Sequence, residues 1–143
     1  MTDIAVAAQS AVFSFSEVKI GVVPACISPY VIKRVGEGRA REFFLTGERL
    51  TAERALEAGL VNRVVPDELL DATVIGLVDS LMSSGPEAIK VCKDLLQTVP
   101  YQNVEEFKEY TARVIADLRQ SREGQEGMDA FLNKRKPSWV VEE

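Results

Sequence analysis

The segment FSFSEVKIGVVP, Phe13 to Pro24, places one carboxylate, Glu17, between apolar runs. A carboxylate in an apolar pocket can take a proton from water and deliver one to a substrate atom. The alternative is a solvated or ion-paired surface acid, which is the usual state of an acidic residue. The segment therefore offers one candidate for acid–base chemistry and leaves both interpretations open.

The lack of histidine narrows the chemistry that this chain can perform. With no histidine in 143 residues, His-based triads, histidine-ligated zinc and histidine general bases are excluded. Cys26 and Cys92 are too far apart in sequence for a zinc-type ligand pair, so no metal site is predicted. We expect both to be buried, small apolar residues in a reducing compartment.

Composition and charge indicate a folded globular protein. The apolar fraction is 46% and the charged fraction 27%, both ordinary values. The net charge of −5 argues against nucleic acid or an anionic membrane as the main partner. No apolar run approaches the ~20 residues that span a bilayer. The opening MTDIAVAAQS has no basic region of a signal peptide, and we expect a cytoplasmic protein.

Short apolar runs near the start predict β-strands. The first three runs are IAVAA, AVFSF and VKIGVV, and LVNRVVP predicts a further strand at about residues 60–65. Such strands are too few for a complete sheet of their own.

Capping residues predict three short helices between the third and fourth runs. Ser28 is placed to cap the first, which ends at Gly36. The second ends at Gly47, and Thr51 caps the third, which Gly59 closes.

The second half of the sequence predicts helices. Apolar residues recur at spacings of three and four from Leu70 to Met82, which is the pattern of one helical face. Three more helices follow, and the last begins at Ser121 with Met128, Phe131 and Leu132 facing inward.

Four runs resemble the crotonase superfamily of enoyl-CoA hydratases and isomerases: TDIAVAA, FSFSEVKIGVVPA, FFLTGERLTAERALEAGLVNRVVP and REGQEGMDAFLNKRKPSW. They stand in the family's order and spacing and span nearly the whole chain. The run GVVPACISPYVIKRVG replaces a more usual glycine-rich pattern, and this variant is most similar to bacterial methylglutaconyl-CoA hydratases.

The resemblance implies an α/β fold. Residues 1–66 would be the rear part of the crotonase ββα spiral, truncated at the N-terminus, and residues 67–143 a helical trimerisation region. The family's front half carries the oxyanion-hole loops and most contacts to coenzyme A. We therefore expect a homotrimer or hexamer, or a partner polypeptide that supplies the missing N-terminal half.

The resemblance also implies roles for seven residues. Glu17 matches the family's acid/base, and Pro24, Ala25, Cys26 and Ile27 would line the acyl pocket, although packing is a sufficient role for Cys26. Near the end of the chain, Phe131 and Lys134 match positions that reach coenzyme A, with the cation near a phosphate and the ring over the adenine. The alternative is a core phenylalanine and a solvated lysine that complements the helix dipole.

Three functions are compatible with this resemblance. The first is a lyase, or half of one, that adds water to an α,β-unsaturated acyl-CoA, such as methylglutaconyl-CoA in leucine degradation or an intermediate of fatty acid metabolism. It would need no cofactor beyond the coenzyme A of its substrate. The second is an inert oligomerisation fragment or partner subunit. The third is a crotonase-fold dehydratase or decarboxylase acting on a carrier-protein thioester.

Overall fold

The computed structural model describes residues 2–101 and 103–140 of the chain. The chain forms two compact units, residues 1–76 and residues 77–143, named here the strand-containing unit and the helical unit. The boundary falls inside one helix, Leu70–Met82. The predicted division at residues 66 and 67 lies ahead of that helix and stays a prediction.

The strand-containing unit alternates short strands with short helices. Its elements are β1 (Val6–Ala8), β2 (Val12–Ser14), a 3-10 helix (Ser16–Ile20), α1 (Ser28–Val35), α2 (Glu37–Thr46), β3 (Arg49–Thr51), α3 (Ala52–Glu57), β4 (Arg63–Val65) and a 3-10 helix (Asp67–Leu69).

The strands of this unit form two separate pairs. Strand β1 lies parallel to β4, with Ala7 opposite Val64, and β2 lies antiparallel to β3, with Phe13 opposite Leu50. Strand β3 was not predicted, because its three residues form too short a run to show an alternating pattern.

The core of the strand-containing unit lies where these pairs meet the helices. Leu50, Ala52 and Ala55 are fully buried there. One cluster of buried residues surrounds Phe15 and the other surrounds Ala7; together they comprise Phe15, Val31, Phe43, Leu50 and Ala58, then Ala7, Ala52, Ala55 and Val61.

The helix ends largely follow the predicted capping residues. Helix α1 ends before Gly36 and α2 before Gly47, and the Thr51 hydroxyl accepts a hydrogen bond from the Arg54 amide at the start of α3. The prediction for Ser28 was wrong. Ser28 is the first helical residue, and its hydroxyl donates to the Ala25 carbonyl instead of accepting from the helix.

The third predicted strand was also wrong, because VKIGVV is a 3-10 helix followed by an exposed loop. Gly21 takes a left-handed conformation with φ 79° and ψ 17°. The Gly21 amide donates to the Val18 carbonyl at 3.3 Å, and the Val22 amide donates to the Glu17 carbonyl at 3.1 Å. These backbone groups are satisfied locally, so they are not available to a sheet.

The helical unit continues from the helix at the boundary. Its elements are α4 (Leu70–Met82, shared with the first unit), α5 (Pro86–Thr98), a 3-10 helix (Val99–Tyr101), α6 (Val104–Gln120) and α7 (Arg122–Leu132). Helix α7 starts at the predicted place: Ser121 is its N-cap residue, and the Ser121 hydroxyl accepts a hydrogen bond from the Gly124 amide at 3.0 Å. Asn103 and Glu106 form a reciprocal capping box at the start of α6.

The apolar faces of this unit are largely uncovered. Helices α4, α5 and α6 contain no buried residue among those described. The expectation that Phe131 and Leu132 face inward was wrong, because their exposed fractions are 83% and 77%. Among the described residues, no helix combines the length and the apolarity needed to cross a membrane.

A half-buried carboxylate joins two of these helices. Glu123, in the first turn of α7, accepts hydrogen bonds from the Glu87 amide at 3.0 Å and from the Ala88 amide at 2.8 Å. It therefore caps the N-terminus of α5, whose own N-cap residue, Gly85, has no side chain to do so. Gly85 also leaves room for the Glu123 carboxylate, because a Cβ at position 85 would collide with it.

We expect Glu123→Ala to lower the free energy of unfolding by about 1–2 kcal/mol, because two helix-end amides lose a charged acceptor. Glu109→Ala is the matched control, since Glu109 is an exposed glutamate paired only with Arg113 on its own helix among the described residues. The control should change stability by less than about 0.5 kcal/mol. Urea unfolding measures both, and equal effects would contradict the capping role.

Candidate active site

Glu17 lies in the 3-10 helix Ser16–Ile20 and is half-buried. One of its carboxylate oxygens, Oε2, is buried and has no hydrogen-bond partner within residues 2–101 and 103–140. A buried carboxylate oxygen without a partner is unfavourable for stability alone. It leaves an acceptor free for a water molecule or a substrate atom.

Aromatic packing fixes the chain just ahead of Glu17. Phe15 is buried and stacks on Phe43 of α2, with ring centroids 6.4 Å apart and an interplanar angle of 14°. It also meets the edge of Phe44 at 5.2 Å and 71°. The packing of Phe15 on α2 therefore holds the start of the Glu17 segment in place.

The predicted acyl-pocket residues form the turn that leads into α1. Pro24 is buried, whereas Ala25, Cys26 and Ile27 are exposed. The turn is closed by the Ser28 amide, which donates to the Pro24 carbonyl at 3.0 Å. This turn and Glu17 thus belong to one continuous segment of the strand-containing unit.

Both cysteines are exposed free thiols, so the expectation that they are buried was wrong. Cys26 projects from the turn ahead of α1, and Cys92 lies on α5, a helix without buried residues among those described. Packing in a core is therefore not the role of either side chain in this chain.

Phe131 and Lys134 lie together at the end of α7. The Lys134 amide donates to the Phe131 carbonyl at 3.2 Å, and the Arg135 amide donates to the Ala130 carbonyl at 3.0 Å. This pair of bonds is a Schellman motif, in which the residue after the helix adopts a left-handed conformation and is usually glycine. Here it is Lys134, with φ 54°, the one non-glycine residue with positive φ in the described part of the chain.

The neighbouring Arg135 is held by two acids of the same helix. Its guanidinium contacts both carboxylate oxygens of Glu126, at 2.7 and 2.9 Å, and Asp129 at 2.6 Å. The hydrogen bonds from Arg135 to Glu126, and one from the Ser138 amide, lower the pKa of Glu126 to about 2, and the two acids raise the pKa of Arg135. The sequence analysis did not single out Arg135; acids nine and six residues before it were the available signal.

The helical unit also contains an apolar cavity of about 310 Å³. Its lining residues include Ala88, Ile115, Leu118, Gly127, Met128 and Trp139. None of the seven predicted site residues lines it. Across the described ranges, no group of three or more potential metal ligands comes together.

The predicted site residues thus form two separate groups, one in each unit. Glu17 and the 24–27 turn share one segment of the strand-containing unit, and Phe131 and Lys134 share the end of α7 in the helical unit. Residues 1–142 match the family model described as enoyl-CoA hydratase/isomerase. The chain belongs to the enoyl-CoA hydratase/isomerase family. Its fold is the mixed α/β crotonase fold.

Solved structures and curated proteins agree with this assignment. A crystal structure of a Legionella pneumophila protein of this crotonase family has a TM-score of 0.93 and 45% identity, and the match covers 96% of this chain and 54% of that one. An enoyl-CoA hydratase from Shewanella pealeana gives a TM-score of 0.90 at 40% identity, over 96% of this chain and 52% of that one. Carnitinyl-CoA dehydratase of Salmonella arizonae is 34% identical over 143 residues, 96% of this chain and 54% of that protein. The crotonase chain described here therefore spans about half the length of the relatives it matches.

The Glu126–Arg135 contact makes stability depend on pH in a defined window. The pKa of Glu126 is lower when folded, about 2, than its ordinary value of 4.5, so the contact stabilises the fold fully above pH 4.5. That contribution is lost as the pH falls from about 4.5 to about 2. We expect Glu126→Gln to lower the melting temperature at pH 7, and the difference from the parent to shrink through this window.

Thermal unfolding at several pH values measures this effect. Glu109→Gln is the control, because its carboxylate is exposed and pairs with Arg113 on the same helix. If the melting temperatures of the parent and Glu126→Gln differ by the same amount at pH 7 and pH 2, the Glu126–Arg135 contact is not the source of the pH dependence.

Proposed function

We propose that this chain supplies the acid/base carboxylate, Glu17, of an enoyl-CoA hydratase-type site that adds water to an α,β-unsaturated acyl-CoA. The proposal is carried by the half-buried Glu17 carboxylate, which keeps one buried oxygen free of hydrogen bonds in the described structure. The family membership supports it, and several relatives are named for reactions of CoA thioesters.

The chemistry requires a group that can move a proton between water and carbon. Glu17 takes a proton from a water molecule while the water oxygen forms a bond to C3 of the thioester. The C2–C3 π electrons then move toward the thioester carbonyl, which becomes an enolate. Glu17 returns a proton to C2, the thioester carbonyl reforms, and the sum is the addition of one water.

An enolate also needs hydrogen-bond donors at its oxygen, and each such donor typically contributes about 10²–10³ in rate. We assign these donors to polypeptide outside the 143 residues, because the relatives are about twice as long as the matched region. The exposed turn of Ala25, Cys26 and Ile27 would then line the acyl group. Methylglutaconyl-CoA is our candidate substrate, on the sequence resemblance alone.

Contact with coenzyme A is proposed separately for the end of α7, and the coenzyme A it reaches would belong to a thioester of this chain or of a neighbouring subunit. An exposed phenylalanine at 83% and a lysine held in the left-handed conformation are both unfavourable for a helix end in water. Both become explicable if Phe131 covers an adenine ring and Lys134 meets a phosphate. Within residues 2–101 and 103–140, no ion pair of the Lys134 side chain is found.

Two alternatives remain as proposals. Methylmalonyl-CoA decarboxylase of Escherichia coli is 32% identical over 145 residues, 97% of this chain, so the same framework serves more than hydration. The uncovered apolar faces of α4, α5 and α6 favour association, either in a trimer or hexamer or with a partner polypeptide.

A cytoplasmic location, and the lack of any cofactor beyond the substrate's coenzyme A, stay predictions.

The acid/base role is tested with Glu17→Gln in the complete protein, purified with any polypeptide that accompanies it. The substitution keeps the size of the side chain but removes the base, so turnover should fall by at least about 10²–10⁴-fold. Thioester affinity should change much less. Loss of the conjugated absorbance of an unsaturated CoA thioester follows the reaction, and intact mass identifies the accompanying chains.

Glu37→Gln is the control, since Glu37 is an exposed glutamate paired with Arg41 one helical turn away. It should leave turnover unchanged. Retention of a tenth of the parent's turnover by Glu17→Gln would show that Glu17 is not the acid/base. A parent assembly that converts no CoA thioester would refute the proposed activity itself.

Lys134 is tested by two substitutions that separate binding from stability. Lys134→Gly and Lys134→Ala should each raise KM for the CoA thioester about tenfold with kcat nearly unchanged, because a charged contact to phosphate is lost. Only Lys134→Gly should also raise the free energy of unfolding, by about 1 kcal/mol, because glycine removes the strain of the left-handed conformation. An unchanged KM in both variants would leave Lys134 with a structural role alone.

A further inference from the structure

We propose that Gly47, in the turn between α2 and β3, positions Glu17 by supporting the 3-10 helix that carries it. This inference rests on the proposed function, in which Glu17 is the acid/base. Gly47 itself would touch no substrate, and its effect would pass through Val18, the neighbour of Glu17 in the chain.

The support is a close approach that only glycine permits. Gly47 is buried and adopts a left-handed conformation with φ 56° and ψ 30°. A Cβ at this position would lie 3.1 Å from Cγ2 of Val18 and 3.2 Å from Cε of Lys19. The lysine chain can move aside, but valine is stiff about its first side-chain torsion. Any side chain at position 47 therefore presses on the backbone beside Glu17.

The turn that contains Gly47 is fixed more firmly than the 3-10 helix above it. The Gly47 amide donates to the Phe43 carbonyl at 3.0 Å. The Arg54 guanidinium joins the two sides of the turn, with Glu42 at 2.5 Å and Glu48 at 2.9 Å. Because the turn is held from three directions, pressure between the two segments displaces the 3-10 helix rather than the turn.

The 3-10 helix packs against α2 and is held at each end. Its C-terminal end is held by the Gly21 and Val22 amides, at 3.3 and 3.1 Å from their acceptor carbonyls. Its N-terminal end follows Phe15, which α2 fixes through Phe43 and Phe44. Glu17 therefore lies between the aromatic packing of Phe15 and the hydrogen bonds of the Gly21 and Val22 amides. The close approach of Gly47 to Val18 is a further restraint.

A small displacement of a general acid/base is enough to slow a reaction. A misplacement of about 1 Å can cost about 10²-fold in rate, and a contact near 3.1 Å requires a shift of a few tenths of an ångström. We therefore expect Gly47→Ala to lower kcat by about tenfold and to change KM by less than about twofold. A purely structural role would lower the amount of folded protein but would leave kcat per folded molecule unchanged.

Gly59→Ala is the matched control. Gly59 also has a positive φ, of 77°, but its added Cβ would meet only the Arg34 carbonyl, at an ordinary 3.7 Å. Both variants place alanine in a left-handed conformation, so both carry that strain. Only Gly47→Ala adds pressure on Val18. The assay is hydration of an unsaturated CoA thioester by the complete protein with any accompanying polypeptide.

A second substitution tests whether the pressure passes through Val18. Val18→Ala removes Cγ2, the atom nearest to the added Cβ, so Gly47→Ala/Val18→Ala should recover most of the lost kcat. Val18→Ala alone should stay within about threefold of the parent, and the two changes should be strongly non-additive. Hydrogen exchange at the Val22 amide should accelerate in Gly47→Ala and return toward the parent in the double variant.

The outcomes separate this inference from the proposed function. A kcat for Gly47→Ala within twofold of Gly59→Ala, or a double variant no better than Gly47→Ala, overturns the positioning role. If Gly47→Ala folds too poorly for assay, recovery of folding and turnover in the double variant supports the role, and persistent failure overturns it. If Glu17→Gln is inactive and Gly47→Ala is fully active, the positioning role of Gly47 is refuted and the acid/base role of Glu17 stands. A fully active Glu17→Gln removes the acid/base role, and the positioning role with it.

Discussion

The packing of Phe15 against helix α2 is the interaction on which the candidate active site depends. Phe15 fills the space between Phe43 and the edge of Phe44, in the same cluster as Leu50, which is fully buried. Since Glu17 follows two residues later, the core sets where its carboxylate begins. An acid in a short 3-10 helix needs such an anchor, because 3-10 hydrogen bonds alone hold a segment weakly.

The two units are stabilised in different ways. The strand-containing unit has an apolar core around Phe15 and Ala7, whereas Ala130 is the one apolar side chain described as buried in the helical unit. There, polar contacts join the elements: Glu123 caps α5, and Arg135 joins residues after α7 to Glu126. The helical unit thus relies on a helix cap and an ion pair rather than on an apolar core, and burial of its uncovered apolar faces would add stability.

The sequence predicted the elements that depend on local chemistry. Helices start near Thr51 and Ser121 as expected, and each hydroxyl accepts a hydrogen bond from a helix-end amide. Ser28 shows the limit of this signal, because its hydroxyl donates to the Ala25 carbonyl instead. Glu17 could be singled out as a candidate because apolar residues flank it, but the residues alone left open a solvated surface acid. Its 3-10 helix could not be predicted, because an apolar run of that length fits a strand equally well.

Features that depend on distant neighbours were missed. Periodicity shows which residues of a helix are apolar but not whether another element covers them, and the exposure of Phe131 was missed for that reason. The exposure of Cys92 has the same origin. The Arg135 contacts were missed because the chain must first reverse at Lys134 before the cation can return to Glu126.

That reversal has a consequence for the order in which the chain folds. It directs the final segment back along α7, where the Trp139 indole donates to the Ser83 carbonyl at 3.2 Å, a contact between residues 56 positions apart. Closing so long a loop is entropically unfavourable until the intervening helices exist. Trp139 is the chain's one tryptophan, so its fluorescence during refolding reports a late event, the docking of the last segment, and is silent about the earlier collapse around Phe15.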